Sequence, residues 1–300
     1  MRLLAVNHHY YRESAPESGI YPITPAAFDD EIALLAKSWQ IASQDATIEA
    51  LSLPQSSVAL CLITFDDGLK EQMAAARRLA VANHGGVFFV STAPLVERRI
   101  LEVHKLHMIR SLRSDAEIAS ALQAIYGKAF SNLDLDVARR QYRYDDDQAA
   151  QVKYFMNFVL DLEARQKWSD QAFVELFGDE AAAASQLYMN ADDVRELARL
   201  GMLGTHGHSH RPLAELDDSG LRNEIQLSLG ILAELGATNI RGISYPYGGP
   251  SAVDERVVKA AIECGLTYGL TMTRGINAGD SFLQPMLLKR ISTNDHRDYC

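Results

Sequence analysis

Cysteine is scarce in this sequence. Cys61 lies in an apolar run, Cys264 precedes a glycine and Cys300 is the last residue; with no paired framework and no CxxC, a disulfide-stapled fold and a thiolate zinc site are both excluded. Basic residues are also in the minority. The 29 Lys and Arg against 39 Asp and Glu leave a net charge of -10, which argues against a general phosphate-binding surface and so against a nucleic-acid partner. No apolar run approaches the length of a membrane span. The opening residues MRLLAVNHHYYRES hold too short an apolar stretch for the core of a secretion signal, so a cytoplasmic protein is expected. Repeats and low-complexity tracts are missing too. What is present is a 300-residue chain, 47% hydrophobic, which suffices for a sizeable core.

Residues 2–6 (RLLAV) read as a short buried strand ending in Asn7-His8-His9, and a loop rich in Gly, Pro and Ser then leads to a helix starting near Thr24-Pro25. The run from Val58 to Phe65 is continuously apolar, as expected of a parallel strand covered on both faces, and passes directly into Asp66-Asp67-Gly68. A helix over about 70–82 and a strand Val87–Val90 complete a β-α-β unit, so the expected class is α/β with a parallel sheet. Over 94–190 the pattern changes to amphipathic helices without a good strand, which reads as a helical insertion within a single 1–300 domain. Alternation then resumes. The pattern predicts a helix over Asp192–Leu200, a strand Met202–Gly204, a helix N-capped by Ser219, a strand Ile240–Ser244, a helix Asp254–Glu263, a strand Tyr268–Thr271 and a last strand Leu287–Ile291.

Four polar clusters share the carboxyl ends of these strands: Asn7-His8-His9, Asp66-Asp67, Thr205-His206-Gly207-His208-Ser209-His210 and Tyr245-Pro246-Tyr247-Gly248. In a closed parallel barrel such ends converge on one mouth. In an extended backbone His206, His208 and His210 would share a face, whereas in a helical turn only His206 and His210 would. A solvated polar loop explains an isolated histidine cluster equally well. Adjacent aspartates at the end of a buried strand repel, and a divalent cation relieves that cost; a plain turn capping the next helix is the competing explanation for the tripeptide alone. One Asp with two His leaves open positions on zinc, the arrangement of a catalytic site suited to metal-assisted hydrolysis.

Thr64-Phe65-Asp66-Asp67-Gly68, His206-xxx-His210 followed by Pro212-Leu213, and Tyr245-Pro246-Tyr247-Gly248 stand in the order seen in the polysaccharide deacetylase family, the NodB-homology group or carbohydrate esterase family 4, which the chain resembles outside its helical insertion. The resemblance implies a distorted (β/α) barrel that removes an N-acetyl or related acyl group from an amino sugar. It makes Asp67, His206 and His210 the metal ligands, with zinc the expected ion, and leaves His208 outside the ligand set. Asp66 becomes the general base and the backbone N–H of Tyr247 an oxyanion donor.

Two departures stand out: Ser244 replaces an Arg common before the motif Pro, and the usual Leu-x-His near the C-terminus is missing. A subset of the family with a Tyr before that Pro is similar in having a His just after the first strand. On that likeness His8 is expected to be the general acid, with His9 and His296 behind it, and Arg290 to orient Asp66. The expected substrate is an N-acylated sugar or glycan, such as a nucleotide-linked or lipid-linked intermediate of a surface polysaccharide. A catalytically silent carbohydrate-binding module and a hydrolase of non-sugar amides are the alternatives.

Overall fold

The computed structural model describes residues 1–53 and 57–300. The chain forms two compact units, one of Met1–Ser14, Pro22–Arg99 and Ala184–Cys300, the other of Ala15–Tyr21 and Ile100–Ala183. The first unit carries a nine-stranded sheet. Its strands are β1 (Arg2–His8), β2 (Gln40–Ile41), β3 (Ala59–Phe65), β4 (Val87–Val90), β5 (Leu203–Thr205), β6 (Gly242–Ser244), β7 (Tyr268–Leu270), β8 (Asn277–Ala278) and β9 (Ile291–Ser292). Their order is β7-β6-β5-β4-β3-β1-β8, with β2 beside β3 and β9 beside β1, and only β8 runs antiparallel to its neighbour.

The C-terminal chain joins the two ends of this sheet. Leu288 bridges to β7, with its N–H on the Gly269 carbonyl at 2.9 Å and the Thr271 N–H on its own carbonyl at 2.8 Å. Three residues later Ile291 pairs with Val6 of β1. The continuous strand expected over Leu287–Ile291 is therefore replaced by a 3-10 turn, Pro285–Leu287, a single bridge and the short β9, because the segment changes partner midway. The result is the distorted barrel of the expected α/β class.

Strand alternation sorts the side chains into two layers. Leu3, Ala5, Leu60, Leu62, Val87, Phe89, Tyr268, Leu270 and Leu288 fill the inside of the sheet. Leu4, Val6, Ile63, Phe65, Phe88 and Val90 face outward, where they pack against Phe28, Ile32 and Leu35 of the helix Pro25–Leu35 and Met73, Ala76 and Leu79 of the helix Gln72–Val81. Both faces are buried, which is why β3 reads as an unbroken apolar run. The helix after β5 starts at Asp218 with Asp217 as its N-cap, so Ser219 lies inside the first turn; the Asp217 carboxylate accepts from the Gly220 N–H at 2.7 Å.

Among the described residues no strand lies between Val90 and Leu203. The second unit is helical and has its own core, including Leu106, Ile109, Ile118, Leu122, Phe155 and Trp168. Inside it Lys105 is buried against Asp170 and Glu180, and Arg110 against Asp115. Its π-helical turn, Phe155–Val159, precedes the helix Leu162–Phe177. No helix among the described residues is long and apolar enough to cross a membrane.

Candidate active site

Asn7, Thr64 and Asp66 continue the inward-facing rows of β1 and β3, and His206 and Ser244 occupy the equivalent places at β5 and β6. These positions meet at the carboxyl end of the sheet. There the structure brings Asp67, His206 and His210 together, with one candidate ligand atom from each within 4.8 Å of the others. Both histidine Nε2 atoms stand 3.3 Å from Asp67 Oδ1.

The histidines do not converge through a helical turn. The backbone leaves β5 as an irregular loop, bent by positive φ angles of 73° at Gly207 and 60° at His210. Five non-glycine residues of the described chain have positive φ, and three of them are Asp67 (81°), His210 (60°) and Tyr247 (62°). Each such conformation costs about 1–3 kcal/mol and persists where the surroundings enforce it. Here the surroundings are explicit. Glu224 accepts from the Ser209 backbone and hydroxyl, Thr205 Oγ1 lies 2.7 Å from Ser228 Oγ and takes the Gly207 N–H at 3.1 Å, and the Gly248 carbonyl accepts the Met272 N–H at 2.8 Å. A Cβ on Gly248 would sit 2.7 Å from the Met272 nitrogen, so only glycine fits that crossing.

The donor set fits a divalent cation. His206 Nδ1 lies 2.6 Å from the Ser244 carbonyl, which accepts a hydrogen bond from the Nδ1–H and so favours the tautomer whose Nε2 lone pair is aimed at Asp67 Oδ1. Two electron-rich atoms facing each other require a proton or a cation between them. A separation of roughly 3.3 Å is also the edge of a tetrahedron whose bonds are about 2.0–2.1 Å. Burial lowers the His206 pKa, but the carboxylates of Asp66 and Asp67 outweigh it and leave it raised, so proton and cation compete for one place.

Asp66 is held differently. Arg290 Nη1 donates to its Oδ1 at 3.0 Å, Nη2 lies 2.9 Å from its Oδ2, and both side chains are buried. The same guanidinium donates to Asn7 Oδ1 at 3.0 Å and to the Thr271 carbonyl at 3.1 Å. Burial pushes the Asp66 pKa up, but Arg290, then His206 and His9, more than reverse this and leave it lowered. Asp66 is therefore ionised at neutral pH. Neither aspartate caps the following helix, whose N-cap position belongs to Glu71.

The structure places His8, the expected general acid, on the side of β1 away from Asp66 and Asp67. His8 belongs to the outward row, stacks on Phe65 at 4.7 Å between ring centres, and has both ring nitrogens on acceptors: the Thr64 carbonyl at 3.1 Å and Glu31 Oε1 at 2.8 Å. Glu31 also takes Thr293 Oγ1 and faces His296 Nδ1 at 3.3 Å, so His296 belongs to the same outer cluster. Continuing the alternation of β1 puts His9 on the same side as Asn7, near enough to feel the charges of Asp67 and Asp66. It is exposed at the mouth, yet enclosed enough that desolvation lowers its pKa against the opposing pull of Asp67 and Asp66. His208 is engaged elsewhere, with Nδ1 2.9 Å from Thr92 Oγ1 and Nε2 3.0 Å from Glu97 Oε1. Tyr247 follows β6 with its ring 5.1 Å from that of His210. His104 is buried within the helical unit beside His107, ring centres 6.0 Å apart.

Sequence reasoning placed Asn7 at the mouth without giving it a partner, and missed the supporting polar residues Gln72, Glu224 and Ser228. Only the strand and helix periods, extended past the motifs, could have found them.

The polysaccharide deacetylase family model matches residues 162–269, a stretch that contains His206, His210 and Tyr247. No curated protein matches the sequence. The Streptococcus pyogenes deacetylase PplD, solved in complex with acetate, superposes with a TM-score of 0.61 at 14% identity over 97% of this chain and 92% of that one. The BpsB deacetylase domain from Bordetella bronchiseptica gives 0.57 at 17% identity over 97% and 95%, and IcaB from Ammonifex degensii gives 0.58 at 13% over 99% and 94%. At such identities the likeness is one of fold. Residues 162–269 thus match the polysaccharide deacetylase family model, and the chain shares its fold with solved deacetylases.

Proposed function

We propose that the protein hydrolyses the N-acyl group, N-acetyl first of all, of an amino sugar in a glycan or in a nucleotide-linked or lipid-linked precursor. The observation that carries this reading is the convergence of Asp67, His206 and His210 beside an ionised Asp66 clamped by Arg290. Asp67, His206 and His210 would hold a divalent cation, and one Asp with two His suits zinc. When bound, that cation supplies Lewis acidity, lowering the pKa of water and polarising the amide carbonyl.

The residues of the chain do the rest. Asp66 accepts the proton of the attacking water, while Arg290 keeps its carboxylate charged and oriented. The backbone N–H of Tyr247 serves the developing oxyanion from a left-handed turn that fixes its direction. His9 delivers the proton without which the amine cannot leave.

The test couples metal analysis of the purified protein with acetate release from N-acetylglucosamine oligosaccharides and nucleotide-linked N-acetyl sugars. The expected result is one divalent cation per chain and release that chelation abolishes. Stoichiometric metal with formate or acetate released only from non-sugar amides would replace the substrate. Absence of both metal and release would leave a binding module.

A further inference from the structure

We infer that Gln72 is a positioning residue for this reaction, its carboxamide tying the end of β3, which carries Asp66, to the end of β1, which carries His9. The inference rests on the reading of Asp66 and His9 as the proton-transfer pair. The ladder between the two strands ends with the Asp66 N–H on the His8 carbonyl at 3.0 Å. Beyond it the chains part. The carbonyls of His9 and Asp66 then receive no backbone N–H among the described residues. Gln72 supplies both, its Nε2 lying 2.8 Å from the His9 oxygen and 2.6 Å from the Asp66 oxygen.

An amide nitrogen has two N–H groups, and here each has its own carbonyl. Gln72 is fully buried at the first turn of the helix Gln72–Val81, its own N–H on the Leu69 carbonyl at 3.0 Å, so the link starts from a fixed backbone. Its Oε1 accepts no hydrogen bond among the described residues, so the two donations alone set how the amide is turned. Two loop residues that must exchange protons with one substrate are thereby joined through a single rigid group. Displacing reacting groups by about 1 Å costs on the order of 100-fold in rate.

The test is Gln72→Met, close in size and without donors, prepared as the metal-loaded full chain alone and in a His9→Ala background. Acetate release is followed on the amino sugar that the wild-type protein cleaves. The expected result is a fall in kcat of about 10- to 100-fold with KM and metal content unchanged, and less than about threefold further loss when His9 is already removed. Wild-type kcat in Gln72→Met, loss of the metal, or an equal fall in both backgrounds would overturn the inference. If Gln72→Met does not fold, Gln72→Glu keeps the shape but turns a carboxylate on the two carbonyls; the same loss is expected, and undiminished kcat overturns it. No release by the metal-loaded wild type overturns the reaction itself, and the inference with it, whereas release by the wild type and fully by the variants overturns the inference alone.

Discussion

The carboxyl end of β1 and β3 has two faces that use the same residue types to opposite effect. On the outer face buried His8 and Glu31 and half-buried Thr293 and His296 form a cluster on ordinary backbone, each group turned to a partner in the protein. On the inner face Asn7, Asp66, Arg290 and His206 meet beside Asp67, His210 and Tyr247, three residues held in left-handed backbone. Burial and charge are common to both. What separates them is that the inner groups leave lone pairs converging on one point and spend conformational energy to do so, the mark of a site rather than a brace.

The strongest way to break this comparison is to remove the convergence. His206→Ala or His210→Ala should lose the bound cation and with it turnover, read by metal analysis and acetate release; a variant that keeps stoichiometric metal would place the site elsewhere. Next comes Arg290→Met, which strands Asp66 as a buried charge without its cation. Breaking a buried pair in this way costs about 3–5 kcal/mol, measurable by denaturant unfolding. Asp66→Asn together with Arg290→Met should recover much of that stability and none of the activity, since the base is gone. If the double variant is as unstable as the single one, the charge balance assigned to the inner face is wrong.

The outer and inner faces were unequally legible in the sequence. The apolar run of β3 and the motifs at its end identified the sheet and brought Asp67, His206 and His210 into one argument. Faces were the weak point. In β1 both rows are apolar, Leu3 and Ala5 on one side and Leu4 and Val6 on the other, so alternation could not say which of His8 and His9 turned inward. The pairing of His8 with Phe65 settles it, and that is a long-range fact. Left-handed backbone at Asp67, His210 and Tyr247 was equally hidden, because any non-glycine residue adopts it only occasionally and tertiary contacts decide where. The N-cap at Asp217 instead of Ser219 shows a smaller limit: two good capping residues stood two positions apart, and packing chose.

His8 and His9 give the direct contrast between the faces. His9→Ala should lower kcat by about 10²–10⁴-fold, the usual worth of a general acid, with metal content and unfolding midpoint unchanged. His8→Asn should do the reverse, lowering stability by about 1–3 kcal/mol because Glu31 stays buried with a partner missing, while kcat of the folded protein holds. A His8 variant that folds normally but has lost turnover would restore His8 as the acid. The outer cluster also has a pH signature. Burial raises the Glu31 pKa, but His8, Thr293 and His296 outweigh it and leave it lowered. Its contribution is thus present above the ordinary carboxylate range and lost as pH falls through the lowered value, so Glu31→Gln should flatten the acid limb of the stability curve.

The smallest effect belongs to the histidine between the two ligands. His208 shares the loop with His206 and His210, but its ring bonds run to Thr92 and Glu97, and the Ala93 N–H binds its carbonyl at 2.9 Å. It ties the exit of β5 to the exit of β4 without facing Asp67. Removing the ring leaves Glu97 about half exposed and Thr92 with a single lost hydrogen bond, so water can replace much of what is removed. His208→Ala should therefore cost about 1 kcal/mol and leave metal stoichiometry intact, although a loop less firmly tied should release the cation faster to a chelator. Loss of the metal at equilibrium in this variant would show that the left-handed turns at Gly207 and His210 depend on His208, and that the loop is braced from the β4 side as much as by Glu224 and Ser228.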